Sequence, residues 1–191
     1  MMTPQERVNH YHSKLPYPES LMVGGDGRIA GTWIMGQNFR TQGYYGGYPA
    51  GYLKRVRGLF PDIPLQEQLH IFSGKVDDPG VDTVDLDPEL RPTFLDDCQT
   101  LEKVPLDLYR LILADPPYSV EDAEHYQPGM VKRNKVMAAL GQRALPGTFV
   151  VWLDQVLPQY RKVEWQLLGA IGMVKSTNHR FRVVIIFERL P

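Results

Sequence analysis

Leu111-Ile112-Leu113-Ala114-Asp115-Pro116-Pro117-Tyr118 runs four apolar residues straight into an acid, two prolines and an aromatic ring. A short apolar run closed by turn-forming residues is how a strand buried on both faces reads. The pattern recurs upstream. Leu69-His70-Ile71-Phe72 meets Ser73-Gly74, Val81-Asp82-Thr83-Val84-Asp85 meets Asp87-Pro88-Glu89, and Thr93-Phe94-Leu95 meets Asp96-Asp97. Leu108 to Ala114 is the fourth such run and Thr148 to Leu153 the fifth. Between them, Met130 to Arg143 predicts a helix whose apolar face is Val136, Met137 and Leu140. Glu164 to Lys175 and Phe181 to Glu188 predict two longer strands joined by Ser176-Thr177-Asn178-His179-Arg180. Strands mixed with helices and ending in polar residues imply an α/β sheet. Ligands of such sheets bind at the carboxyl ends of the strands, where the glycine and the acids fall here.

Further out, Thr3-Pro4-Gln5-Glu6 forms a capping box with proline at the first helical position, so a helix to about Leu15 should follow. Ser13 to Gly27 is rich in Pro and Gly and reads as loop. Ile29 to Met35 predicts a short strand, Asn38 to Gly51 an irregular Gly- and Tyr-rich stretch, and Gly51 to Phe60 a helix carrying Lys54, Arg55 and Arg57. The 191 residues fit one domain, with 1–60 as an N-terminal segment and 67–190 as the sheet. At 43% hydrophobic and 23% charged, the chain can bury a core without disulfides or structural metals. Cys98 is the single cysteine, and no Cys/His spacing suggests zinc. No apolar leader opens the chain and no apolar run reaches membrane-spanning length, so a cytoplasmic protein is expected. A net charge of −1 argues against a protein that coats nucleic acid non-specifically. Acid concentrates between Asp77 and Glu102, and base outnumbers acid beyond Met130.

The tetrad Asp115-Pro116-Pro117-Tyr118 suits one chemical problem. An amine whose lone pair is conjugated into a nucleobase is a poor nucleophile. Two acceptors aimed at its N–H bonds stabilise the charge that develops when it is alkylated. Asp115 offers a carboxylate and Pro116 a backbone carbonyl, held stiff by consecutive prolines. Tyr118 offers a flat face for an extruded base.

With this tetrad the chain resembles the class I S-adenosylmethionine-dependent amino-methyltransferases of nucleic acids, above all the bacterial and phage adenine-specific DNA methylases. The resemblance covers roughly Gly43 to Glu188. It implies a Rossmann-like sheet of seven strands with the last antiparallel. It also implies S-adenosylmethionine as cofactor and methyl transfer by direct displacement to an exocyclic amine, N6 of adenine in DNA. Phe72-Ser73-Gly74 resembles the segment that approaches the methionine part of the cofactor. Asp85 resembles the acid that holds the ribose hydroxyls, with Asp87 as its rival. Asp97 resembles the acid near the adenine amine, with Asp96 competing. Tyr48 and Pro49, with Gly46, Gly47, Tyr52 and Leu53, resemble the upstream segment at the cofactor's methionine end.

The chain also departs from the pattern. His70 stands where the family has an acid and reads as a satisfied strand histidine, and Val76 stands where it has a second glycine. The links from Phe72 to Val81 and from Asp85 to Thr93 are too short for ordinary parallel crossovers, so the first helices should be cut down or missing. For the polymer, Lys175, Asn178, His179 and Arg180 are the first candidates, with Arg182 and with Lys132, Arg133 and Lys135 on the preceding helix. DNA stands ahead of RNA, whose adenine N6 or guanine N2 is the alternative target. A non-catalytic methyltransferase-like subunit that serves a partner is the other alternative.

Overall fold

The computed structural model describes residues 1–36, 48–117, 131–175 and 181–191. Helix α1 (Pro4–Lys14) is followed by strands β1 (Leu21–Val23) and β2 (Ile29–Met35), then helix α2 (Tyr52–Leu59). The sheet continues with β3 (Gln68–Ile71), β4 (Asp82–Asp85), β5 (Phe94–Leu95) and β6 (Leu111–Ala114). Helix α3 (Arg133–Arg143) precedes β7 (Phe149–Asp154), β8 (Trp165–Lys175) and β9 (Phe181–Arg189). Thr3 and Glu6 close the capping box that starts α1, with Thr3 N–H donating to Glu6 at 2.7 Å.

The nine strands among the described residues join one sheet in the order β1-β2-β8-β9-β7-β6-β3-β4-β5. β3 to β7 are mutually parallel, while β9 pairs antiparallel with both β7 and β8. The expected seven strands with an antiparallel last one are therefore β3 to β9. β1 and β2 extend that sheet beyond β8. β1 lies inside the stretch read as loop. Its strand signal is three residues long, too short to stand out among prolines and glycines. Gly31 makes the β1–β2 pairing close, since a Cβ there would collide with the Ser20 carbonyl oxygen.

Every residue of β3, β6 and β7 is buried, as central parallel strands require. One face of the sheet packs under α1 and α2, around Tyr11, Trp33, Tyr52, Leu113 and Val151. The other packs under α3 and the 98–109 segment, around Leu101, Ile112, Met137, Leu140 and Trp152. Arg143 of α3 pins that segment by donating to the carbonyls of Leu101 and Val104.

The shortened crossovers are present. Residues 72–81 contain no helix, and the β4–β5 and β5–β6 links hold only the 3-10 turns Pro88–Leu90 and Leu106–Leu108. The second turn corrects the fourth strand, which begins at Leu111 rather than Leu108. Residues 155–164 also lack a helix, so Ala30, Ile34, Ala170 and Phe181 stay exposed on one face of β2, β8 and β9. No helix among the described residues is long and apolar enough to cross a membrane.

Candidate active site

The chain lays down β3, β4 and β5 outward in one direction, then returns to place β6 and β7 on the other side of β3. The order reverses between β3 and β6, and an open α/β sheet binds ligands in the crevice at such a switch point. Ile71 pairs with Ala114 at the ends of these two strands. The next residues are Phe72-Ser73-Gly74 on one side and Asp115-Pro116-Pro117 on the other. Asp85 ends β4, Asp96 and Asp97 follow β5, and Asp154 ends β7, all at the same carboxyl edge. Tyr118 lies outside the described residues.

The residues expected on the cofactor side are bonded to one another. Phe72 adopts φ 57°, a left-handed conformation costly for a residue with a Cβ, and Gly74 adopts φ 51°. Gly74 N–H donates to Asp85 Oδ2 at 2.9 Å, and Phe72 N–H donates to Cys98 Sγ at 3.3 Å. Asp85 Oδ1 accepts from Asp87 N–H at 3.1 Å. Their rivals Asp87 and Asp96 are bonded locally as well. Asp87 caps the 3-10 turn through Glu89 N–H, and Asp96 accepts from Asp97 N–H and Lys103 N–H. Asp97, half-buried, accepts from Gln99 N–H at 2.8 Å. Burial pushes the Cys98 thiol well above its ordinary range, so it acts here as an apolar residue with a weak acceptor.

Tyr48 and Tyr52 form the wall on the α2 side, their rings stacked at 4.9 Å and 12°. Desolvation, and then the neighbouring Asp115 carboxylate, push both phenols well above the usual tyrosine range. Arg182, at the start of β9, acts on Tyr52 in the opposite sense. The Tyr52 hydroxyl is buried with no hydrogen-bond partner among the described residues. Pro49, buried, accepts Tyr52 N–H at 3.0 Å and so sets the start of α2.

Sequence reasoning left one group unassembled. His70, fully buried in β3, has Nε2 at 2.8 Å from Asp78 Oδ2 and Nδ1 at 3.2 Å from the Tyr48 hydroxyl. Arg57 of α2 pairs with the same Asp78 oxygen. His70 is thus satisfied, as its place on a strand suggested. Asp78 sits in a short loop, and nothing local in the sequence marks it as the partner.

Of the polynucleotide candidates, Arg133 is placed otherwise. Its guanidinium pairs with buried Asp154 through contacts of 2.6 Å and 3.1 Å, which fixes the start of α3 to the end of β7. Trp152 Nε1 donates to the same carboxylate at 3.0 Å, which gives both β7 residues a structural role. Lys132 and Lys135 remain exposed. Lys175 ends β8, while Asn178, His179 and Arg180 lie outside the described residues.

No family model matches the chain, and no curated protein matches it. Among solved structures, TrmN from Thermus thermophilus superposes with a TM-score of 0.55 at 15% identity, over 75% of this chain and 49% of that one. The chain therefore spans about half the length of TrmN. An rRNA methylase from Streptococcus thermophilus gives 0.45 at 9% identity, over 68% and 90%. A mutant MtNAS in complex with S-adenosylmethionine gives 0.47 at 10% identity, over 73% and 60%. The likeness to TrmN is one of fold, a Rossmann-like α/β sheet. The two looser superpositions add nothing to it.

Proposed function

We propose that this chain is an S-adenosylmethionine-dependent methyltransferase that acts on an exocyclic amine of a nucleobase, N6 of adenine in DNA. One observation carries the reading. The switch point where the strand order reverses is flanked by Phe72-Ser73-Gly74 and by Asp115-Pro116-Pro117. Asp85 and Asp97 stand at the next strand ends along the same edge.

The donors and acceptors present suit that cofactor. Each carboxylate oxygen of Asp85 accepts one backbone N–H and has a second lone pair for a ribose hydroxyl. Asp97 supplies an acceptor for the adenine amine. Backbone at Phe72 to Gly74 approaches the methionine part, and Tyr48 and Pro49 close the site from the α2 side. The buried Tyr52 hydroxyl, unpartnered among the described residues, is one that a polar ligand would satisfy. When bound, S-adenosylmethionine supplies an electrophilic methyl group on a sulfonium.

The chain's own contribution is positioning and charge. Asp115 and the Pro116 carbonyl accept the two N–H bonds of the target amine, and the Asp115 carboxylate balances the positive charge that grows on nitrogen. Pro117 holds that carbonyl in place. Tyr118 stacks on the extruded base. Lys175, Asn178, His179 and Arg180 meet phosphates, which gives affinity without reading sequence.

Transfer of labelled methyl from S-adenosylmethionine to unmethylated DNA and, in parallel, to RNA tests the reading. Label on adenine of DNA that Asp115→Ala abolishes is the expected result. Label on RNA alone would change the polymer. No label on either, with no cofactor bound, would sink the enzyme reading in favour of a subunit that needs a partner.

A further inference from the structure

The reading above gives no role to the network beneath the crevice. Asp78 accepts from both Arg57 and His70. Burial works against its ionisation. The hydrogen bonds from His70 and Arg57, with the Arg57 charge, outweigh it and hold the carboxyl at about 2. A carboxylate has no proton to give, so the His70 proton facing it sits on Nε2. When the imidazole is neutral, Nδ1 is then the acceptor of its 3.2 Å contact with the Tyr48 hydroxyl. The Tyr48 oxygen therefore presents its lone pairs away from His70.

Asp115 lies on the same face of the sheet as His70. His70 pairs with Leu113, and the two-residue alternation puts Asp115 on the same face, one step nearer the edge. Asp115 is close enough to Tyr48 to act on its phenol. The Tyr48 ring is also fixed, by stacking on Tyr52 and by its contact with His70 at 5.5 Å.

We propose that Arg57, Asp78 and His70 are positioning residues that act through Tyr48. They hold its hydroxyl proton toward β3 and turn its oxygen, as an acceptor, to the crevice. The site then favours a cationic sulfonium over the neutral thioether left after methyl transfer. The inference rests on the cofactor reading above. A merely structural network, tying α2 to β3, would move affinity for both ligands alike.

Calorimetric titration of the full chain with S-adenosylmethionine and with S-adenosylhomocysteine separates these cases. Tyr48→Phe should weaken S-adenosylmethionine about tenfold while S-adenosylhomocysteine stays within about twofold. Asp78→Asn, whose amide can donate to Nε2 and send the proton to Nδ1, should shift the same ratio about threefold. Equal weakening of both ligands, or no change in either, overturns the relay and leaves the cofactor reading standing. A wild-type protein that binds neither ligand overturns both.

Discussion

Gly74 N–H donates to Asp85 Oδ2 across 2.9 Å, so the turn after β3 and the last residue of β4 are tied into one unit. The second oxygen of Asp85 holds Asp87 N–H, which extends the unit into the β4–β5 link. Asp85→Ala should therefore do two things. It leaves two backbone N–H groups without their acceptor, at a cost of about 1–2 kcal/mol, which lowers the melting temperature by a few degrees. It also removes the proposed ribose acceptor, so S-adenosylmethionine should bind at least about tenfold more weakly. Calorimetry and thermal unfolding on one preparation check both. A destabilised variant with unchanged cofactor affinity would reduce Asp85 to a structural residue.

Tyr52 makes the opposite case, because its buried hydroxyl has no hydrogen bond to lose among the described residues. Tyr52→Phe should leave ligand-free stability unchanged or raise it by up to about 1 kcal/mol, since an unsatisfied polar group is removed. The protection that S-adenosylmethionine confers against thermal unfolding should shrink in the same variant. A clear loss of stability in the ligand-free protein would mean that the hydroxyl already has a partner.

Strand periodicity made most of this fold legible. Apolar runs such as Leu111–Ala114 and Phe149–Asp154 are buried on both faces, and their closing residues mark the carboxyl edge of the sheet. The missing crossover helices could also be foreseen, from link length alone. β1 could not, because three residues carry no period. The role of Arg133 was hidden for a different reason. On the sequence it is one of several bases in a helix, and only the pairing of β6 with β7 brings Asp154 beneath it. Asp78 was hidden in the same way, since its partners His70 and Arg57 come from a strand and a helix on either side of a fold-dependent contact.

The Arg133–Asp154 pair separates a structural base from a phosphate contact. Asp154 is fully buried, and removing its partner leaves an uncompensated charge inside the protein. Arg133→Ala should cost about 3 kcal/mol in urea unfolding, where Lys135→Ala at an exposed position should stay within about 0.5 kcal/mol. The salt dependence of DNA binding should be the same for Arg133→Ala as for the wild type, because the guanidinium is already committed to Asp154. A reduced salt slope in Arg133→Ala would show that this arginine also reaches phosphate.

Asp78 gives the network a pH signature. Its carboxyl is held at about 2 in the folded chain, against an ordinary 3.8. A group lowered by folding contributes stability that is fully present above its unfolded value and is lost as pH falls through the folded one. The contribution should therefore be complete above about pH 4 and fade toward pH 2. Because the carboxyl is partly screened by solvent, about 1 kcal/mol is expected rather than the full shift. Wild type and Asp78→Asn compared by urea unfolding at pH 6, 4 and 3 provide the check. The wild type's advantage should narrow over the two lower values. A constant difference across all three would mean that Asp78 holds Arg57 and His70 by shape and hydrogen bonding, without its charge.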